Sequence, residues 1–325
     1  MKVNTQSPTA TPSTEDEWII HSINIHGVFF ERWCQAQIGK TPPWSVKSTN
    51  YPVEFPPPDG PWRGKESTLD IRAEMEHSGD LLTLIIECKK NNPDFVKWVF
   101  FPKPSEHIYT IVSSQIENSL RPTEEAGWVS QSSLRNGPFA SQRLADEARE
   151  TRGDYRSYQK NDKTKTSNAS ITDAAYQVAL ATQAINHNET KFGSALGATS
   201  TPPAMPWKRQ LFLPVIVTTA RLFTCTFEAD NIHPATGEIP YASTTLEEQP
   251  FLFYEYPLPR HLQMSPSDLA QTLKAGSIEW FTHMHIAVVY SGKLTDFLNS
   301  FAKLWSDISG DTKGDSNGVK PESTS

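Results

Sequence analysis

The sequence predicts an α/β protein, a central sheet flanked by helices, and three stretches carry that prediction. Ser67–Lys90, STLDIRAEMEHSGDLLTLIIECKK, alternates apolar and polar residues on both sides of a polar cluster, as a β-hairpin does. Leu213–Thr219 is a short β-branched run of the kind found in fully buried strands, and an Ala-rich segment of helical period precedes it. Lys293–Ile308 carries Leu294, Phe297, Leu298, Phe301, Leu304 and Trp305 on one helical face.

The hairpin organises the rest. His77-Ser78-Gly79-Asp80 holds a glycine able to take positive φ, so the flanking runs are antiparallel neighbours joined by a tight turn. Centring the turn between Ser78 and Gly79 sets His77 opposite Asp80 and Asp70 opposite Glu87. Cross-strand partners share a side of the sheet, as do residues two apart along a strand, so Lys89 joins Asp70 and Glu87. The other side collects Ile71, Ala73, Met75, Leu82, Leu84, Ile86 and Cys88 and is the expected core face. The polar side, with Arg72, Glu74 and Thr83 as well, is open to two readings. It is a solvated outer face, or an Asp set against a Glu requires a compensating cation, which a divalent metal supplies.

An Asp in one strand, a hairpin turn, and an apolar strand ending in Glu-X-Lys resembles the PD-(D/E)XK nuclease superfamily, with its restriction-endonuclease-like fold. The matching residues are Asp70 and Glu87-Cys88-Lys89; Leu69 stands where that superfamily often has a proline. The resemblance implies a mixed sheet in a restriction-endonuclease-like core. It implies a Mg²⁺ (or Mn²⁺) site formed by Asp70, Glu87 and the Cys88 carbonyl, with Lys89 acting on the attacking water or the transition state. It further implies a DNA endonuclease of bacterial defence or DNA processing, acting as a homodimer or with defence-complex partner subunits. Glu31, on a preceding helix, and Gln177, on a following one, are the accessory residues it suggests; a solvated Glu31 is the plainer alternative. A nuclease-like protein that binds or interacts without cleaving is the competing function.

Length and composition set the frame. The 325 residues are ample for a sizeable core, and 37% of them are hydrophobic. No run reaches the ~18–20 apolar residues of a membrane span, and MKVNTQSPTATPSTEDE lacks a signal-peptide stretch, so no membrane partner and a cytoplasmic location are expected. Three cysteines, Cys34, Cys88 and Cys225, are odd in number and far apart in sequence, which argues against a disulfide framework and a zinc ribbon. A net charge of −7 argues against a protein that coats nucleic acid, although a local basic strip suffices for a nuclease. The chain carries no Walker loop, dinucleotide fingerprint or internal repeat.

In order along the chain, 1–14 reads as a disordered tail, and 15–308 as one domain with loop insertions at about 41–62, 117–165, 188–206 and 230–248. Residues 309–325 read as a second tail. Thr14 and Glu17 form a capping box for a helix over about 15–38, closed by Gly39. The proline-rich 41–62 holds at most a short strand at Tyr51–Phe55, with Glu54 as a lesser ligand candidate. Phe95–Phe101 and Ile108–Ile116 read as strands, while 117–137 shows no clear period. Arg143, Arg149, Arg152 and Arg156 lie in the most basic stretch, suited to a phosphate backbone or to an exposed helix laced with opposite charges. Ser170 or Thr172 caps the Ala-rich helix to about Asn188, expected on the apolar side of the hairpin, with Tyr176, Gln177 and Gln183 as its polar candidates. Strands follow at Leu213–Thr219, Leu222–Phe227, Phe251–Tyr256 and Trp280–Tyr290, with a short helix from Ser265 to about Leu273. His283 and His285 share a strand face, which suits structural histidines or a zinc pair lacking its third ligand.

Overall fold

The computed structural model describes residues 14–25, 27–55, 65–91, 96–103, 111–117, 128–134, 144–151, 169–197, 209–263 and 282–311. The short helix expected at 265–273 lies outside these residues.

The hairpin forms as its pattern demands. β2 (Lys65–His77) and β3 (Asp80–Lys89) pair antiparallel, with His77 opposite Asp80 and Ile71 opposite Ile86, the expected register. Ser78 and Gly79 both take positive φ, 54° and 86°, as a two-residue type I′ turn requires.

Around the hairpin grows one mixed sheet. The remaining strands are β1 (Ser45–Phe55), β4 (Lys97–Pro102), β5 (Ile111–Glu117), β6 (Trp128–Leu134), β7 (Leu144–Thr151), β8 (Arg209–Thr218), β9 (Arg221–Phe227), β10 (Thr244–Gln249), β11 (Phe251–Pro257) and β12 (His283–Tyr290). Their order is β1-β2-β3-β8-β12-β11-β7-β4-β9-β10, with β5 branching off beside β8 and carrying β6. β3, β8 and β12 run parallel, and β2 and β11 flank them antiparallel. Three expected loops are therefore partly strand, 117–165 among them, where β7 takes the place of the exposed helix offered for the basic stretch. β1 occupies eleven residues of the proline-rich stretch because β2 offers it a full antiparallel ladder, and β10 ends the 230–248 segment by pairing with β9. β6 likewise falls where no period was readable.

Four helices complete the described fold: α1 (Glu15–Ile25), α2 (Val28–Gly39), α3 (Ala169–Gly197) and α4 (Leu294–Asp311). The single helix expected over 15–38 is two, because Gly27 sits at φ +81°, a left-handed conformation that no helix interior accommodates. The capping box closes as expected, with the Glu17 N–H donating to Thr14 Oγ1 at 3.2 Å and the Thr14 N–H to Glu17 Oε2 at 3.3 Å. α3 is capped differently: the Glu150 carboxylate, from β7, accepts the Ile171 N–H at 3.0 Å, and the helix runs on to Gly197.

The sheet is buried on both faces around β3, β8 and β12, while its β9–β10 edge is largely exposed. One face joins Ile71, Ala73, Met75, Leu82, Leu84, Ile86 and Cys88 to α2 and to the apolar face of α4, through Cys34, Ile38, Phe297 and Phe301. Each of the isoleucine, leucine, methionine and phenylalanine side chains contributes roughly 1.5–3 kcal/mol by leaving water. The other face packs Ile85 and Leu69 beneath Ala174, Ala175, Val178 and Ala181 of α3. α3 thus covers the face opposite to the expected one. As an interior strand between β2 and β8, β3 exposes neither side, and its nominally polar face needs a cover as well. Glu74, Thr83 and Glu87 are buried, so this is no solvated surface.

Candidate functional site

The C-terminal end of β3 gathers the charged residues. β2 follows the β3 ladder only as far as Ile71, and Leu69 packs on the α3 side whereas Ile71 packs on the other. At this slip in alternation the Asp70 carboxylate turns to the neighbouring strand, and its Oδ2 accepts the Cys88 N–H at 2.7 Å. In an extended residue the N–H and C=O leave on the same side, so the Cys88 carbonyl also faces Asp70. Glu87 and Lys89 direct their backbone groups to β8 instead, where the Thr219 N–H donates to the Lys89 carbonyl at 3.3 Å.

Glu87 is only 6% exposed and Asp70 is half-buried. Burial pushes Glu87 up to about 9, with the Asp70 charge adding to the rise and Lys89 opposing it. Burial also pushes Asp70 up to about 6, against the Cys88 N–H bond, which holds it down. The two carboxylates are one coupled system that Lys89 compensates incompletely.

Glu31 belongs to this system. Its charge raises both Asp70 and Glu87, and burial raises its own carboxyl in turn. The α1–α2 turn delivers it: a Cβ on Gly27 would stand 3.8 Å from both Glu31 Oε1 and the Lys90 Cβ, and Lys90 Nζ donates to the Asn24 carbonyl of α1. Glu54 is not delivered; it is exposed on β1 opposite Glu66.

A polar network unread in the sequence pins the segment beyond Lys89. Thr218 Oγ1 donates to Asn91 Oδ1 at 3.2 Å and accepts the Ala220 N–H at 3.1 Å, while the Asn91 N–H donates to Thr219 Oγ1 at 2.9 Å. The signal was the Thr-Thr pair closing the apolar run at 213–217, where a buried strand ends in hydroxyls. Cys34 and Cys88 also meet: their thiols form a hydrogen bond that, with burial, pushes the Cys88 thiol up, and both cysteines are free.

Other expected residues stand apart. Gln177 lies half-buried on α3 with Oε1 buried and unbonded, and it is not among the groups that shift Asp70 or Glu87. Tyr176 meets His261, hydroxyl to Nε2 at 3.0 Å. Arg149, on β7, is paired with Glu147 and donates to the Ala148 carbonyl at 2.9 Å. Arg143, Arg152 and Arg156 lie outside the described residues. His285 stands 3.5 Å from Glu255, which also pairs with Lys103, and His283 Nδ1 is 2.8 Å from Thr282 Oγ1.

Comparison with protein-family models, with curated proteins and with solved structures finds no match. Function must therefore be argued from the site. Among the described residues no group of three or more His, Cys, Asp and Glu side chains is placed to hold a metal ion, and no helix is long and apolar enough to cross a membrane.

Proposed function

We propose that the protein is a metal-dependent phosphodiesterase of the PD-(D/E)XK kind, a DNA endonuclease with its centre at Asp70, Glu87 and Lys89. The observation that carries the proposal is the pair of carboxylates, Glu87 buried and Asp70 half-buried, that raise one another beside Lys89 where the parallel pair β3–β8 ends. A hydrophobic or hydrogen-bonded structural role gives no reason to keep two such groups together, because the folded protein must hold a proton or a cation there.

Asp70, Glu87 and the Cys88 carbonyl are hard oxygen donors and would be the groups to hold a divalent ion such as Mg²⁺ or Mn²⁺. Bound there, such an ion supplies charge neutralisation at a phosphate and lowers the pKa of a water. The chain's own residues do the rest. Lys89, on the side chain face shared with Glu87, orients the attacking water and offsets charge at the phosphate. Glu31 adds negative charge that strengthens the preference for a dication over a monovalent one. The Asn91–Thr218–Thr219 network holds the Lys89 backbone still, which positioning of a nucleophile requires.

One observation favours the alternative, a nuclease-like protein that binds nucleic acid or a partner without cleaving it. Asp70 already spends an oxygen on the Cys88 N–H, a structural use that ties β2 to β3. Incubation of the full chain with supercoiled plasmid, in Mg²⁺, Mn²⁺ or chelator, separates the two. Metal-dependent nicking that disappears in Lys89→Ala, with the fold retained, supports the nuclease. Cleavage undiminished in Lys89→Ala refutes this centre.

A further inference from the structure

β10 ends the sheet, and among the described residues it has a neighbour on one side only. The opposite end is blunted, since β1 carries Pro52 and a register shift between Val46 and Ser48, two devices that stop an edge from taking another strand. β10 has neither. Thr244–Gln249 pairs with β9 residue for residue, without proline, lysine or bulge, so a row of backbone N–H and C=O groups faces outward. The connection that leads into it is fixed by its own bonds: the Gly237 N–H donates to the His233 carbonyl, the His233 N–H to the Glu238 carbonyl and the Thr244 hydroxyl to the Tyr241 carbonyl, each at 2.8 Å.

Beside this edge one face of the sheet is uncovered. The register sets Val99 next to Phe223 and Leu246 next to Cys225, and Phe101 meets Phe227 edge to face. None of these six side chains is buried and none belongs to either core, and Phe227 and Leu246 are 42% and 54% exposed. Trp98, Phe100 and Leu222 alternate with them onto the α3 side and are fully buried. The described helices pack principally on β1, β2, β3, β8 and β12 instead. An apolar face adjoining an unpaired edge is an arrangement suited to a partner.

We propose that this edge and face receive an extended basic segment of another protein, added to β10 as a further strand. Charge selects the occupant. Residues 222–249 carry Glu228, Asp230, Glu238, Glu247 and Glu248, all exposed, and no lysine or arginine. Among the described residues Glu248 is paired with Arg221, and the other four carboxylates have no ion pair. Such a field repels a phosphate backbone and draws lysine and arginine. It also disfavours a second β10, because pairing two copies gathers four carboxylates on one ladder. The side-chain period of two sets the rest: Leu246 takes an apolar residue opposite it, and Glu247, on the other side of the strand, takes a basic one. Backbone hydrogen bonds then supply affinity, and the alternation supplies selectivity.

Fluorescence anisotropy of a labelled ten-residue peptide alternating lysine and valine, titrated with the full-length protein at ~0.15 M salt, tests the proposal. Saturable binding is expected. The same peptide methylated on every backbone nitrogen keeps its charge but cannot form a ladder, and should bind at least tenfold more weakly, as should a peptide alternating glutamate and valine. Glu247→Lys should weaken the lysine peptide about tenfold and strengthen the glutamate peptide, and Leu246→Ser should weaken the lysine peptide several-fold. Both side chains are exposed, so both variants should keep the wild-type circular dichroism spectrum. Absence of binding to wild type, equal affinity for the methylated peptide, or an affinity that Glu247→Lys leaves unmoved overturns the proposal. So does an oligothymidylate that binds where the lysine peptide does not and is lost in Leu246→Ser, which would make the face a base-stacking surface.

Discussion

Replacing Glu87 with Gln should make the metal-free protein more stable, an unusual result for a buried charged residue in a sheet. Glu87 has an ordinary value of 4.5 and is pushed up to about 9 in the fold by burial and by Asp70. Below pH 4.5 both the folded and unfolded chains hold the proton and there is no penalty. Above it the unfolded chain ionises while the folded one still keeps its proton, so stability falls as pH rises, until the folded group ionises near 9. At pH 7 the ceiling on this cost is about 3 kcal/mol, from ~1.36 kcal/mol per pH unit. Because the proton is shared with Asp70, about 1–3 kcal/mol is expected. Gln keeps the shape without the ionisation, so Glu87→Gln should gain that amount at pH 7 and almost nothing at pH 4. Urea denaturation in chelator at the two pH values measures it. Mg²⁺ should then stabilise wild type more than the variant, because one ligand is gone. Equal stabilities of wild type and variant at pH 7, or a less stable variant, would refute the electrostatic reasoning.

Glu255 should behave in the opposite sense. Burial raises its carboxyl, but His285 and Lys103 outweigh burial and hold it at about 2, so its contribution is present above pH 4.5 and is lost as pH falls toward 2. After allowance for solvent screening, Glu255→Gln should cost about 1–2 kcal/mol at pH 7 and little at pH 2 in thermal melts. Phe297→Ala removes a fully buried ring stacked on Phe301 and set against Phe251, and should cost about 3–5 kcal/mol in denaturant midpoints at unchanged slope. Thr218→Val strips a hydroxyl from the network behind Lys89. A cost of about 1–2 kcal/mol, together with a larger proportional loss of plasmid cleavage than Phe297→Ala shows at equal folded fraction, is the signature of positioning rather than of packing.

The hairpin register was readable because both of its determinants are local. A Ser-Gly pair admitting positive φ sets the turn, and a side-chain period of two then assigns the partners from His77–Asp80 to Ile71–Ile86; Asp70, expected opposite Glu87, lies beyond the last ladder pair and turns to the Cys88 N–H instead. The amphipathic helix α4 was readable for the same reason. The strand β1 was obscured by Pro52 and by the prolines on either side of it, which weaken a strand signal, and its formation depends on the partner that β2 provides. The break at Gly27 was hidden by apolar residues that continue at helical spacing on both sides of it.

The covering of the polar side of the hairpin by α3 was not readable, because a pattern of alternation separates two faces without saying what lies over either. The approach of Glu31 was undetermined for a related reason: the direction of a helical side chain toward a site depends on a turn made by one glycine and on contacts with Lys90. The Asn91–Thr218–Thr219 network joins residues more than a hundred positions apart, which no local period records. Residue types and short-range spacing thus assign the hairpin and its three charged residues. Burial on both sides, which turns those residues into a strained, coupled group, arises from long-range packing, since desolvation is a property of everything that surrounds a side chain and not of its neighbours in sequence.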